Sequence, residues 1–162
     1  MKNTLIPSIA IFLVLIASAT GQTIDGFKEF PWGTPPERMK SSLQLSLFDQ
    51  KGDSQMYAAH ALPTVGNARV ALSCFFYKSK FAGILIHTKG ITNSRALLEY
   101  LKQKFGPPEA EKFGDALAWH FPSTTVLFND ATDDIWASIS SVKIHNQQKL
   151  DEGAAQKPTR RF

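Results

Sequence analysis

The chain has 162 residues, with 18 Lys and Arg against 14 Asp and Glu and a formal charge of +4. The excess sits at the two ends, because residues 22–142 hold twelve basic and twelve acidic side chains and are neutral. A neutral body without a clustered basic face excludes nucleic acid as the partner, and the length fits one domain with a real core.

Residues 1–21 read as an export signal. Lys2 supplies the positive start, residues 9–17 are uninterruptedly apolar, and Ala17, Ala19 and Gly21 are the small residues a signal peptidase reads. The run is shorter than the roughly 20 apolar residues a spanning helix needs. The expectation is a mature protein starting near Thr20 or Gln22, periplasmic or secreted, with no stable membrane anchor after cleavage. No cysteine follows the leader to carry a lipid. Cys74 is the only cysteine and lies in an apolar run, so it is expected as a buried thiol in a domain without an internal disulfide.

The single domain is expected over residues 22–145. Thr34-Pro35-Pro36-Glu37 predicts a helix start with Thr34 as cap, and Met39, Leu43 and Leu47 recur every four residues, giving a helix over 35–45. Three strand-like runs follow at 55–62, 68–77 and 81–88, joined by turns short enough for a meander. Thr92-Asn93-Ser94 predicts the cap of a second helix ending at Phe105, with Leu97, Leu98, Leu101 and Phe105 on one side. Gly106-Pro107-Pro108 stops it. Strands are then predicted at 116–121, 124–129 and 135–144. From Asn146 to Phe162 the chain is polar and basic, which predicts a disordered tail. The predicted fold class is α+β: two helices packed on one face of an antiparallel sheet, in a helix–three-strand pattern repeated twice.

The chemistry-bearing residues are scattered. His60, His87, His120 and His145 fall singly on four predicted strands without metal-ligand spacing. Asp130, Asp133 and Asp134 read as turn residues making local hydrogen bonds rather than a calcium loop. Glu109 and Glu111 flank a proline-rich turn and read as solvated. No Gly-x-Ser-x-Gly elbow, phosphate loop or dinucleotide fingerprint is present. Catalytic residues, a metal and a cofactor are therefore not expected, and an envelope hydrolase is the least favoured reading.

Aromatic residues are many for one small domain. Neighbours in a strand point to opposite faces, so Phe75 and Tyr77 share one face and Phe76 takes the other. An aromatic patch on the uncovered face follows, with Phe75, Tyr77, Trp119 and Trp136 as candidate partner-binding residues.

Two stretches carry a family resemblance. Trp32-Gly33-Thr34-Pro35-Pro36-Glu37-Arg38-Met39 resembles the helix opening of small periplasmic proteins of the outer-membrane-assembly lipoprotein (SmpA) and β-lactamase-inhibitor kind. Phe105-Gly106-Pro107-Pro108, followed by Ala118-Trp119-His120-Phe121, is similar to that group's helix end, turn and aromatic strand. The chain departs from the group in lacking a lipid-bearing cysteine. The resemblance implies a non-catalytic, envelope-associated protein-binding module. The leading expectation is thus a binding module that meets another envelope protein through an aromatic sheet face. The alternative is a small-molecule or lipid carrier with a pocket between sheet and helices.

Overall fold

The computed structural model describes residues 23–109 and 114–155. The leader, Glu111 and the end of the tail lie outside the described residues.

The elements run in chain order β1 (Gly26–Phe27), β2 (Phe30–Pro31), α1 (Pro36–Leu43), β3 (Leu45–Lys51), β4 (Ser54–Ala59), β5 (Thr64–Val65), β6 (Ala68–Arg69), β7 (Ala71–Tyr77), β8 (Lys80–Thr88), α2 (Ile91–Phe105), β9 (Leu117–His120), β10 (Thr124–Asn129), β11 (Ile135–Ser141) and α3 (Val142–Ala155). Seven strands form one sheet in the order β3-β4-β7-β8-β11-β10-β9, and every pair in it is antiparallel. β1–β2 and β5–β6 are separate two-stranded ribbons. The fold is α+β with an antiparallel sheet.

One sheet face is covered. Leu72, Cys74 and Phe76 of β7 lie opposite Ile86, Ile84 and Phe81 of β8, and all six are buried. Val126 and Phe128 of β10 and Ala137 and Ile139 of β11 continue that face. Met39 and Leu43 of α1 and Leu97, Leu101 and Phe105 of α2 belong to the same core cluster. Full burial of side chains this size contributes about 1.5–3 kcal/mol each. Phe76, Phe81, Phe128, Met39 and Leu101 fill the layer between sheet and helices without solvent exposure. Gly83 lets β8 run close to β11, since a Cβ there would stand 3.0 Å from the Ile139 carbonyl oxygen.

The segment before α1 is tied into this core. Trp32 lies against Phe81 with ring centroids 5.1 Å apart and donates from Nε1 to Thr124 Oγ1 at 2.8 Å. Gly33, at φ 88°, donates its N–H to the Phe81 carbonyl, and Phe81 returns one to Thr34. Thr34 does not cap α1. Its hydroxyl donates to the Pro31 carbonyl, and Pro35 takes the cap position in an extended conformation.

Several expectations are corrected. The helix over 35–45 ends at Leu43, because Gln44 turns left-handed (φ 50°, ψ 56°) and the chain re-enters the sheet as β3. The repeated helix–three-strand pattern is not observed, because β3 adds a strand to the first half. The cap predicted at Thr92-Asn93-Ser94 is not formed, as α2 starts at Ile91 after Gly90. Asn93 instead accepts the Arg69 N–H and donates to the Lys89 carbonyl, while Ser94 donates to Asp130. The stop at Gly106 stands as expected, at φ 82° with its N–H on the Lys102 carbonyl.

The largest correction is a third helix. β11 ends at Ser141 rather than running to residue 144. The next fourteen residues, including 146–155 of the expected disordered tail, form α3. It is polar nearly all round and buries no residue fully. It lies on the sheet face opposite α1 and α2, where Gln148 reaches Ser54 and Asp151 reaches Tyr77.

Candidate binding groove on the open sheet face

Strand register fixes what the second face displays. One row reads Met56, Phe75, Gly83, Ser140 and Thr125 across β4, β7, β8, β11 and β10. The next reads Ala58, Ser73, Leu85, Ser138 and Leu127, and a third reads Ala71, His87, Trp136 and Asn129. Met56, Phe75, Leu85, Leu127 and Trp136 are all half-buried. Small residues between them leave their side chains prominent, and α3 crosses this face without covering it.

Between α3 and the β3–β4 hairpin lies a groove of about 710 Å³. Its floor is Met56, Phe75 and Tyr77. Asp49, Lys51, Gly52, Asp53 and Ser54 form one wall, and Gln148, Asp151, Glu152 and Ala155 of α3 form the other. Two smaller cavities, of about 340 and 220 Å³, open beside Arg69, His87 and Asn93 and beside His120, Leu127 and His145.

The helix wall hangs on one carboxylate. Asp151 Oδ2 accepts from Lys78 Nζ at 2.7 Å and from the Tyr77 hydroxyl at 2.7 Å, and its Oδ1 accepts from Gln147 at 2.8 Å. These bonds, Lys78's first, hold the Asp151 carboxyl down to about 2. The same bond to Asp151 raises both the Tyr77 phenol and the Lys78 ammonium above their ordinary values. Lys78 and Ser79, both at positive φ, make the turn that presents Lys78 to α3.

Of the residues singled out from sequence, Phe75 and Tyr77 fall together on the groove floor. Tyr77 has a buried ring and a hydroxyl committed to Asp151. Trp136 is on the same face but beside His87, away from the groove. Trp119 is corrected. It sits opposite Val126 on the covered face at 2% exposure, with Nε1 donating to the Gly106 carbonyl at 2.9 Å, so it offers no surface. Met56, Asp49, Asp53, Gln148, Asp151 and Glu152 escaped the sequence reading. The last three lie where a disordered tail was expected.

The histidines are held singly. His60 shares a hydrogen bond with Ser46 Oγ, and His87 faces Asp134 at 3.3 Å. His120 takes Glu109 at 2.9 Å, so Glu109 is paired rather than free in solvent. Glu109 also closes the β9 edge, its N–H on the Ala118 carbonyl and its carboxylate on the His120 N–H. His145 stands exposed on α3, not on a strand. Among the described residues no three His, Cys, Asp or Glu side chains gather to hold a metal ion. Burial pushes the Cys74 thiol up to about 12, far from a nucleophile's range. Among the same residues no helix is long and apolar enough to cross a membrane. No family model matches the chain, and comparison with curated proteins and with solved structures gave no match.

Proposed function

We propose that the protein is an exported, non-catalytic binding module that holds a protein partner in the cell envelope on its open sheet face. The observation that carries this reading is the groove of about 710 Å³ floored by Met56, Phe75 and Tyr77 on a face that α1 and α2 leave free. Half-buried apolar side chains in a concave surface can be fully desolvated by a partner, and a few such residues carry most of the energy of a protein interface. Export rests on the leader, and envelope association on the resemblance at Trp32–Met39 and Phe105–Phe121.

The test is quantitative capture from an envelope extract by the mature protein and by Phe75→Ala. The expected result is loss of the captured protein with the thermal midpoint nearly unchanged. Equal capture by both proteins would put the interface elsewhere.

A further inference from the structure

We infer that the groove takes an extended, Lys- and Arg-rich segment of its partner, with aliphatic stems lying on Phe75 and Met56 and cationic heads on the rim. This deepens the reading of the open face as a partner surface and rests on it.

The floor and the rim of the groove differ in kind. Met56 and Phe75 make an apolar floor, while four carboxylates, Asp49, Asp53, Asp151 and Glu152, stand around it with two cations, Lys51 in the lining and Lys78 bonded to Asp151. Asp151 is matched by Lys78 across 2.7 Å, whereas Asp49, Asp53 and Glu152 are exposed and have no ion-pair partner among the described residues. A negative rim stands out on a chain that is net positive. Lys and Arg are the side chains that combine a long apolar stem with a charged head. A guanidinium over the Phe75 ring adds a cation–π contact, and its fork suits rim carboxylates. An acidic or neutral segment gains the floor but meets uncompensated carboxylates at the rim. The volume lies in the range of ligand clefts, about 300–1,000 Å³, so it holds several side chains rather than one ion.

The experiment titrates the full chain with a fluorescently labelled eight-residue peptide carrying four Arg and one Leu, and with the same peptide carrying Glu for Arg. Binding of the Arg peptide alone is expected, weakened about tenfold or more by Asp49→Lys with Asp53→Lys and by raising salt from about 0.05 to about 0.5 M. Both carboxylates are exposed, so the double variant keeps its thermal midpoint. Equal binding of the Glu peptide, or indifference to the charge reversal, overturns the inference, as does failure of the Arg peptide to bind. Loss of envelope capture in Phe75→Ala without any charge dependence overturns this inference alone and leaves the open-face reading standing. Tighter peptide binding in Lys157→Gln with Arg160→Gln and Arg161→Gln, kept at about 0.5 M salt where general attraction is screened, makes the chain's own basic segment the occupant and overturns an external partner.

Discussion

Leu101→Ala tests whether α2 is fastened to the sheet by its apolar stripe. Leu101 has no solvent exposure and sits between Leu97 and Phe105 on the buried side of a fifteen-residue helix. Truncation removes three carbon groups, which at about 0.8 kcal/mol each costs about 2.4 kcal/mol of transfer energy. The remainder is the cavity. Leu101 shares one core cluster with the fully buried rings Phe76, Phe81 and Phe128, and a core so packed collapses only partly into the space. The expected total is about 3–4 kcal/mol, inside the usual range of about 2–5 for a buried Leu→Ala. For a domain of this size that lowers Tm by about 10–15 °C. Urea denaturation followed by tryptophan fluorescence measures it, with the slope unchanged if only stability moves. Leu150→Ala, at a residue 69% exposed on α3, is the control and should stay within about 0.5 kcal/mol. A Leu101→Ala cost below about 0.5 kcal/mol would refute the packing of α2 argued above.

Three further outcomes follow from the same geometry. Cys74 has no exposure and a thiol pushed up to about 12, so a thiol reagent at pH 8 should label it only as fast as the domain opens. Leu101→Ala should speed that labelling. The Asp151 carboxyl is depressed, so its tether on α3 is complete above its ordinary value of 3.8 and lost as pH falls toward about 2. The protection factors of the α3 amides, exchange rates divided into their intrinsic rates at each pH, should be flat from neutral pH to about 4 and fall below it. Asp151→Asn should also bring the Tyr77 phenol back toward 10.0, read by ultraviolet titration. Trp119→Phe removes a buried bond to the Gly106 carbonyl and part of a buried ring, and should cost about 1–3 kcal/mol.

Where hydrophobic periodicity and backbone chemistry agree, the elements were legible. α2 is written twice, in the Leu97, Leu101 and Phe105 stripe and in the Gly106-Pro107-Pro108 stop. The alternation of Phe75, Phe76 and Tyr77 is likewise seen, with Phe76 fully buried and its neighbours on the other face. Leu47 misled because its four-residue spacing from Leu43 continues a helical stripe, yet Gln44 breaks the helix and leaves Leu47 at 48% exposure on an edge strand. α3 was hidden for a different reason. The residues it turns to the sheet are Ile144, Gln148 and Asp151, a helical spacing written mostly in polar letters that no hydrophobic pattern registers. Trp119 was misassigned because composition cannot say which face of a strand is covered. Only the register with Val126 decides that.

The two sheet faces differ in how they are packed, and the proposed open-face interface rests on that difference. On the covered face, large side chains such as Phe76, Ile86 and Ile139 meet α1 and α2 with no exposure, and truncating any of them opens a cavity. On the open face, Ser73, Gly83, Ser138 and Ser140 alternate with Phe75, Leu85 and Leu127, so no layer can interdigitate tightly there. α3 compensates with hydrogen bonds gathered at one point, Asp151 with Tyr77 and Lys78, rather than with buried area. A polar anchor at the C-terminal half of a helix leaves the groove beside it unfilled and sets the position of its wall. Asp49, Asp53 and Glu152 are exposed and stand outside the core cluster, so changes there alter the rim of the groove rather than the core. Surface chemistry can vary there at little cost to folding, which is what the proposed partner surface needs.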